Sequence, residues 1–98
     1  MHARVTRIKA AADLLDEMVR QFEQQTVPVL EGLDGYTGYV LLGDRASGVA
    51  MAITYWESEE ALRASEDAVK QERERAARSG GAAAGPTVER YEVASASS

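Results

Sequence analysis

The side chains of this sequence that could do chemistry are one tryptophan, four tyrosines and two arginines near the start of the chain. The indole of Trp56 could stack on an aromatic ligand, and the guanidinium of Arg4 or Arg7 could hold an anionic or phenolate oxygen. The phenols could donate or accept protons. They belong to Tyr36, Tyr39, Tyr55 and Tyr91. Each type also has a structural interpretation: Trp56 as a packing anchor, the tyrosines as half-buried strand residues, and at least one arginine at the surface.

Several kinds of site are absent from the sequence. There is no cysteine, which excludes disulfides and thiolate metal sites. The only histidine is His2, and there is no asparagine. No cluster has metal-ligand spacing, no glycine-rich phosphate loop follows a strand, and no serine, histidine and acid form a triad. We therefore expect no metal and no bound cofactor, and the sequence identifies no catalytic residue.

Charge and hydropathy limit the expected partners. The formal net charge of −5 argues against nucleic-acid binding, which needs clustered basic residues. The run 70–75 alternates basic and acidic residues and predicts a solvated helix face. No apolar run is long enough to cross a membrane, and the first residues are too polar for a signal peptide. The sequence thus predicts a cytoplasmic protein with neither a nucleic-acid nor a membrane partner.

The elements that must position these side chains follow from hydrophobic spacing. We expect one domain over residues 1–93 and a flexible tail at 94–98. The chain is predicted to begin with a strand at 2–9, followed by a helix that Asp13 caps and that ends or kinks near Thr26 because of Pro28. Two strands follow at 36–42 and 49–56, and then a helix that Ser58 caps and that runs to about Arg78. A linker at 79–85 leads to a last strand at 87–93. This β-α-β-β-α-β order predicts an α+β, ferredoxin-like fold with a four-stranded antiparallel sheet.

The strand at 49–56 is apolar on both of its faces. One face carries Val49, Met51, Ile53 and Tyr55, and the other carries Ala50, Ala52, Thr54 and Trp56. Two helices can cover only one face of such a sheet. A second copy of the chain is the economical cover for the other face, so the pattern predicts a homodimer through the sheet face.

Two stretches carry a resemblance to a known family. Residues 49–61 read Val-Ala-Met-Ala-Ile-Thr-Tyr-Trp-Glu-Ser-Glu-Glu-Ala, and residues 33–39 read Leu-Asp-Gly-Tyr-Thr-Gly-Tyr. The chain resembles the antibiotic-biosynthesis-monooxygenase (ABM) family of the dimeric α/β-barrel superfamily. The resemblance implies two sheets paired into a barrel, with one cavity in each protomer and the Trp56 face lining it. The residues expected to line the pocket are Trp56, Thr54, Ala52, Tyr36, Tyr39 and Arg4.

The resemblance also implies an activity. Relatives include cofactor-free oxygenases, so we expect a monooxygenase that acts on a small electron-rich aromatic of the polyketide or quinol type. The alternative is a non-catalytic dimeric module that binds a ligand. Haem-degrading relatives use an asparagine on the first strand and a histidine on the second helix, and both are absent here. In quinol-oxidising relatives a helix histidine follows the tryptophan, and Ser65 stands at that position. The sequence therefore argues against haem degradation.

Overall fold

Four antiparallel strands form one sheet in the order β2-β3-β1-β4, and helices pack on one of its faces. The computed structural model describes residues 1–79 and 86–97, so most of the predicted linker at 79–85 lies outside the described residues. The elements are β1 (His2–Lys9), α1 (Leu15–Gln21), α2 (Val27–Glu31), β2 (Tyr36–Asp44), β3 (Val49–Trp56), α3 (Glu59–Ala64), α4 (Glu66–Ser79) and β4 (Thr87–Glu92). The predicted ferredoxin-like α+β fold is confirmed.

The first helical segment changes geometry where proline was expected to disturb it. A π-helical turn, Phe22–Thr26, joins α1 to α2, and Pro28 lies in the first turn of α2. Proline has no amide hydrogen to give to a carbonyl one turn earlier, which favours the wider turn. The predicted cap was wrong: a 3₁₀ turn precedes α1, and Asp13 makes no capping hydrogen bond. The wide turn leaves Thr26 buried against the sheet side of the helix.

The second helical segment was predicted as one helix and is two. Ser58 caps α3 as expected, because its Oγ accepts a hydrogen bond from the amide of Ala61 at 3.1 Å. The helix then breaks at Ser65. The carbonyl of Leu62 accepts hydrogen bonds from the Ser65 hydroxyl at 2.6 Å and from Arg4 Nη2 at 2.7 Å. These bonds compete for the carbonyl that would accept the next helical amide, which explains the break.

The face of β3 that carries Trp56 lies under the helices. Trp56 is fully buried and packs with Leu30 of α2 and Leu62 of α3. The prediction that this face lines a barrel between two sheets is therefore wrong, because the helices already cover it. The opposite face is the open one in the single chain, where Val40 is 41% exposed and Leu42 is 50% exposed.

A tight approach at Gly35 joins the turn before β2 to helix α3. Gly35 has a φ of +81°, and a Cβ added there would lie 2.4 Å from the Cβ of Ala61. The Gly35 carbonyl also accepts a hydrogen bond from the amide of Glu57 at 2.8 Å. Both the backbone conformation and the space therefore require glycine at this position.

We predict that Gly35→Ala lowers the free energy of unfolding by about 2–4 kcal/mol, because it adds left-handed strain and a steric clash. Gly32→Ala is the matched control, since Gly32 has a right-handed backbone and its added Cβ would meet no atom closer than 3.6 Å. Urea denaturation followed by circular dichroism measures both. Equal losses in the two variants would contradict the role given to Gly35.

Candidate functional site

Two adjoining cavities, of about 40 and 50 Å³, lie between the sheet and the helices. Both are lined by Thr6 and Ile8 of β1, Ala52 of β3 and the ring of Phe22. We call the pair the sheet–helix cavity. Its second half is also lined by Arg4, Thr26, Leu30, Thr54, Val69, Glu72 and Arg73. The first half is apolar, whereas charged groups gather in the second.

Arg4 is the central charged residue of this region and is only 1% exposed. It lies on β1, an interior strand of the sheet, opposite Thr54 of β3, so its side chain extends beneath the helices. Besides Leu62, its Nη2 donates to Ser65 Oγ at 2.8 Å and to Glu66 Oε1 at 3.2 Å. Its Cζ lies 5.4 Å from the centre of the Trp56 ring, which is cation–π distance. Burial lowers the pKa of Arg4 from its ordinary value, and the neighbouring Glu66 carboxylate opposes that shift.

Two carboxylates near the cavity are already paired. Glu66 Oε1 accepts a hydrogen bond from Arg90 Nε at 2.7 Å in addition to the bond from Arg4. The Arg90 hydrogen bond, helped by the positive charge of Arg4, holds the pKa of Glu66 below its usual range although burial acts in the other direction. Glu72 is 5% exposed and accepts from Arg75 Nη2 at 2.5 Å. The predicted solvated face over 70–75 is therefore wrong at Glu72, which is buried.

Three guanidinium nitrogens in this region are buried without a hydrogen-bond partner in the part of the chain that the structure describes. They are Nε and Nη1 of Arg4 and Nη1 of Arg73. Both arginines line the second half of the sheet–helix cavity. The positive charge of Arg73 also acts on Arg4 and lowers its pKa further. The site thus contains donors that can serve an incoming acceptor.

The structure brings together three of the six residues expected to line a pocket. Arg4, Ala52 and Thr54 line the second half of the sheet–helix cavity. Trp56 lies behind them, and its Nε1 donates to Thr54 Oγ1 at 3.0 Å. Trp56 therefore orients Thr54 and supports Arg4 from outside the cavity lining.

The two expected tyrosines lie beside the cavity. Tyr36 packs edge-on against Trp56 at 5.6 Å between ring centres, and Tyr39 contacts Phe22 at 5.3 Å. Burial, with smaller contributions from Tyr39 and Glu31, raises the pKa of Tyr36, so its phenol stays protonated at neutral pH. These rings fix the positions of Trp56 and Phe22 next to the cavity.

The other side chains considered from the sequence lie elsewhere. Tyr55 and Tyr91 stand opposite Ala3 on the other face of the sheet, and Tyr91 is 51% exposed. Arg7 is exposed. His2 lies at the start of β1, with Nε2 3.8 Å from a Glu59 carboxylate oxygen. Among the described residues, no cluster of three or more His, Cys, Asp or Glu side chains could hold a metal ion. No helix in that part of the chain is long and apolar enough to span a membrane.

Sequence reasoning missed the helix side of the cavity. The missed lining residues on that side are Phe22, Thr26, Leu30, Val69, Glu72 and Arg73, and on the sheet side Thr6 and Ile8 of β1 were missed. One available signal was the spacing of Ser65, Val69 and Glu72, which is four and then three residues and continues a buried helix stripe. The charge of Glu72 concealed that stripe, because acidic residues are seldom buried without a partner.

Comparisons with known proteins point to one family. The sequence model of the family described as antibiotic biosynthesis monooxygenase (ABM) matches residues 1–78. Two uncharacterized proteins of Mycobacterium tuberculosis are similar. Rv2557 is 37% identical over 94 residues, which cover 96% of this chain and 41% of that protein. Rv2558 is 39% identical over 77 residues, which cover 79% and 33%. The chain therefore spans about two fifths or less of the length of these relatives.

Solved structures show the same fold at low sequence identity. A monooxygenase from the gene ActVA-Orf6 of Streptomyces coelicolor, in complex with nanaomycin D, has a TM-score of 0.80 at 14% identity and covers 97% of this chain and 88% of its own. The haem degrader MhuD of Mycobacterium tuberculosis, with two haems bound in its active site, has a TM-score of 0.75 at 22% identity and covers all of both chains. At these identities the likeness concerns the fold alone.

We predict that Glu66→Gln lowers the free energy of unfolding at pH 7 by about 1–2 kcal/mol, because Arg4 stays buried with a weaker acceptor. The folded-state pKa of Glu66 is lowered, so its contribution is present above its unfolded pKa of about 4.3 and is lost as the pH falls through the folded value. Denaturant titrations between pH 7 and pH 3 measure this difference, which should shrink towards acid.

The control for this measurement is Glu23→Gln. Glu23 is exposed and makes no hydrogen bond or ion pair with the described residues. Its substitution should change stability by less than about 0.5 kcal/mol at every pH. A loss in Glu66→Gln that is the same at pH 3 and pH 7 would contradict the ion-pair account.

Proposed function

The chain belongs to the antibiotic biosynthesis monooxygenase family, and we propose that it is a cofactor-independent monooxygenase acting on a small electron-rich aromatic of the polyketide or quinol type. The observation that carries the proposal is the sheet–helix cavity, where an apolar half adjoins a half containing Arg4 and Arg73. An apolar cavity with a few convergent polar groups is typical of a small-molecule site.

The proposed reaction draws all of its electrons from the substrate. An ionised phenol passes electrons to dioxygen at the ring carbon opposite its oxygen. Where that carbon carries a hydrogen, a carbon–oxygen bond forms there, the hydrogen is lost as a proton, and the oxygen–oxygen bond breaks. One oxygen atom remains as the second carbonyl of a quinone, and the other leaves as water. The protein contributes positioning and exclusion of water, which the apolar lining residues Ile8, Ala52 and Phe22 supply.

The cavity must enlarge before an aromatic ligand can occupy it. Its halves of about 40 and 50 Å³ hold a few water molecules each, whereas sites for drug-sized ligands are roughly 300–1,000 Å³. Phe22 is the helix residue shared by both halves, and it begins the π-helical turn. We propose that displacement of its ring joins the halves.

The small volume also supports the alternative of a non-catalytic ligand-binding module. A cavity that opens only slightly would bind a ligand without admitting dioxygen beside it. Haem degradation is the weaker proposal, since His2 does not line the sheet–helix cavity and lies beside Glu59 instead. The catalytic asparagine and helix histidine of haem-degrading relatives have no counterpart in the sequence.

We predict oxygen uptake when the chain is mixed with dihydroxynaphthalene or anthrone-type phenols, followed with an oxygen electrode. Ala52→Leu should reduce the rate at least about tenfold, because the larger side chain fills the space shared by both halves. Ala64→Leu, on the exposed side of α3, adds the same atoms outside the cavity and should keep the parent rate. Circular dichroism checks that both variants are folded.

The outcomes separate the two functions. Uptake that is lost in Ala52→Leu and kept in Ala64→Leu supports the oxygenase. No uptake across the panel, together with binding of the same phenols, favours the non-catalytic module. Uptake that is unaffected by Ala52→Leu would contradict a reaction inside the cavity.

We also propose that the chain forms a homodimer through the open face of its sheet. Val40 and Leu42 are 41% and 50% exposed there, and half-buried Met51 and Ile53 stand opposite them on β3. Exposed apolar patches of this kind mark interaction sites.

Light scattering at micromolar concentration should give twice the 10.6 kDa mass of one chain. Val40→Glu should give the monomer, because it places a charge in the proposed interface. Val29→Glu is the matched control: Val29 is 36% exposed on α2, on the helix side of the molecule, and its substitution should leave the dimer intact. A monomeric parent chain would contradict the dimer.

A further inference from the structure

Arg4 combines deep burial with unused hydrogen-bonding capacity. Nearly all buried polar groups in folded proteins have a partner, and an unpaired charged donor is costly. Arg4 Nη2 makes three hydrogen bonds, yet Nε and Nη1 of the same guanidinium make none with the described residues. The free donors belong to a residue that lines the sheet–helix cavity. A residue that lines the cavity therefore carries two buried donors that lack an acceptor among the described residues.

A second guanidinium with an unused donor lines the same space from the helix side. Arg73 Nη1 is buried without a partner among the described residues. The neighbouring carboxylates do not satisfy it, since Glu72 accepts from Arg75 and Glu66 accepts from Arg90 and Arg4. Two arginines with unused donors, one on β1 and one on α4, therefore line one cavity.

The local charge is opposite in sign to that of the whole chain. Two guanidinium groups, of Arg4 and Arg73, and one carboxylate, of Glu72, line this half of the cavity, although the chain carries a formal net charge of −5. The Glu72 carboxylate is already paired with Arg75. General basicity of the protein does not explain such a cluster. Two cations in a low-dielectric space repel each other and attract an anion strongly.

We infer that the sheet–helix cavity recognises an aromatic ligand through an anionic oxygen, a carboxylate or a phenolate, which accepts hydrogen bonds from Arg4 and Arg73. The aromatic body of the ligand rests on the proposed function, whereas the anion site depends only on the two guanidinium groups. Arg4 is held in place by α3 and by the Trp56 ring, so its free donors are pre-positioned. The anion would join the sheet to α4, and the ring would extend over Ala52 towards Phe22.

Isothermal titration calorimetry of the full chain with three probes tests this inference. The probes are 2-naphthoate, which carries a carboxylate, 2,4-dinitrophenolate, which carries a phenolate, and 2-naphthamide, which is the neutral counterpart of the first. At least one anion should bind about tenfold or more tightly than the amide. The anion that binds more tightly identifies the class of oxygen. Trp56 is the only tryptophan, so quenching of its fluorescence by 2-naphthoate reports binding next to Arg4.

Arg73→Met is the principal variant. Arg73 Nη1 makes no hydrogen bond with the described residues, so we expect this variant to fold. It should weaken anion binding about tenfold to a hundredfold and leave amide binding unchanged. Arg63→Met is the matched control, since it removes the same charge from an exposed position on α3. Arg4→Lys keeps the charge of Arg4 but loses its planar donors, and it should weaken anion binding as well.

Selective anion binding that Arg73→Met removes and Arg63→Met retains supports the site. Equal binding of the three probes, binding of none of them, or a preference that survives in Arg73→Met would overturn it. These results are independent of oxygen uptake. If the anions bind but no oxygen is consumed, the anion site is supported and the oxygenase is rejected. If oxygen is consumed but the three probes bind equally, the oxygenase is supported and the anion site is rejected.

Discussion

The hydrogen bond from Arg4 Nη2 to the Leu62 carbonyl is the interaction on which the candidate site depends. It links an interior strand to the end of α3 and takes up the carbonyl at which the helix would continue. The chain breaks at Ser65 and starts again as α4, whose buried residues include Val69 and Glu72. One strand residue thus helps to set both the direction of α4 and the side chains that it turns towards the sheet.

Burying a guanidinium is unfavourable unless it is paired and hydrogen-bonded. Here Glu66, the Ser65 hydroxyl and the face of Trp56 offset part of that cost. The compensation is incomplete, since two of the three Arg4 nitrogens make no hydrogen bond with the described residues. Buried donors without a partner are uncommon in folded proteins, and charged groups perturbed by burial and by a specific charged neighbour cluster at functional sites. Trp56 is fully buried outside the cavity lining, where it contacts Arg4 and donates a hydrogen bond to Thr54. Its role is therefore to support these two residues, not to stack on a ligand.

Local patterns in the sequence were enough to predict the order of strands and helices. β-Branched residues indicated β1, an apolar run indicated β3, Pro28 located the wide turn, and Ser58 began α3, because each effect acts within a few residues. The break at Ser65 could not be predicted, since it depends on Arg4, which lies 61 residues away in sequence. The sequence also could not predict which face of β3 lies under the helices. Both of its faces are apolar, and only the packing of the helices distinguishes them.

The family and the site limit the function from two directions. Membership of the ABM family supports the proposed monooxygenase, yet the best-known catalytic residues of its haem-degrading and quinol-oxidising relatives are missing here. In this chain the cavity instead has apolar lining residues that exclude water, Ile8, Ala52 and Phe22. It also has two cationic lining residues, Arg4 and Arg73. Such a site suits a substrate that supplies its own electrons, because an anionic oxygen activates the ring and the protein has only to orient and shield it.

A crystal structure of the chain with bound 2-naphthoate tests the central claim most directly. The account predicts that the carboxylate lies within about 2.7–3.2 Å of Arg4 Nε or Nη1 and of Arg73 Nη1, with the ring between Ala52 and a displaced Phe22. A naphthoate bound on the open face of the sheet, or a cavity that remains closed while the ligand binds elsewhere, would contradict it.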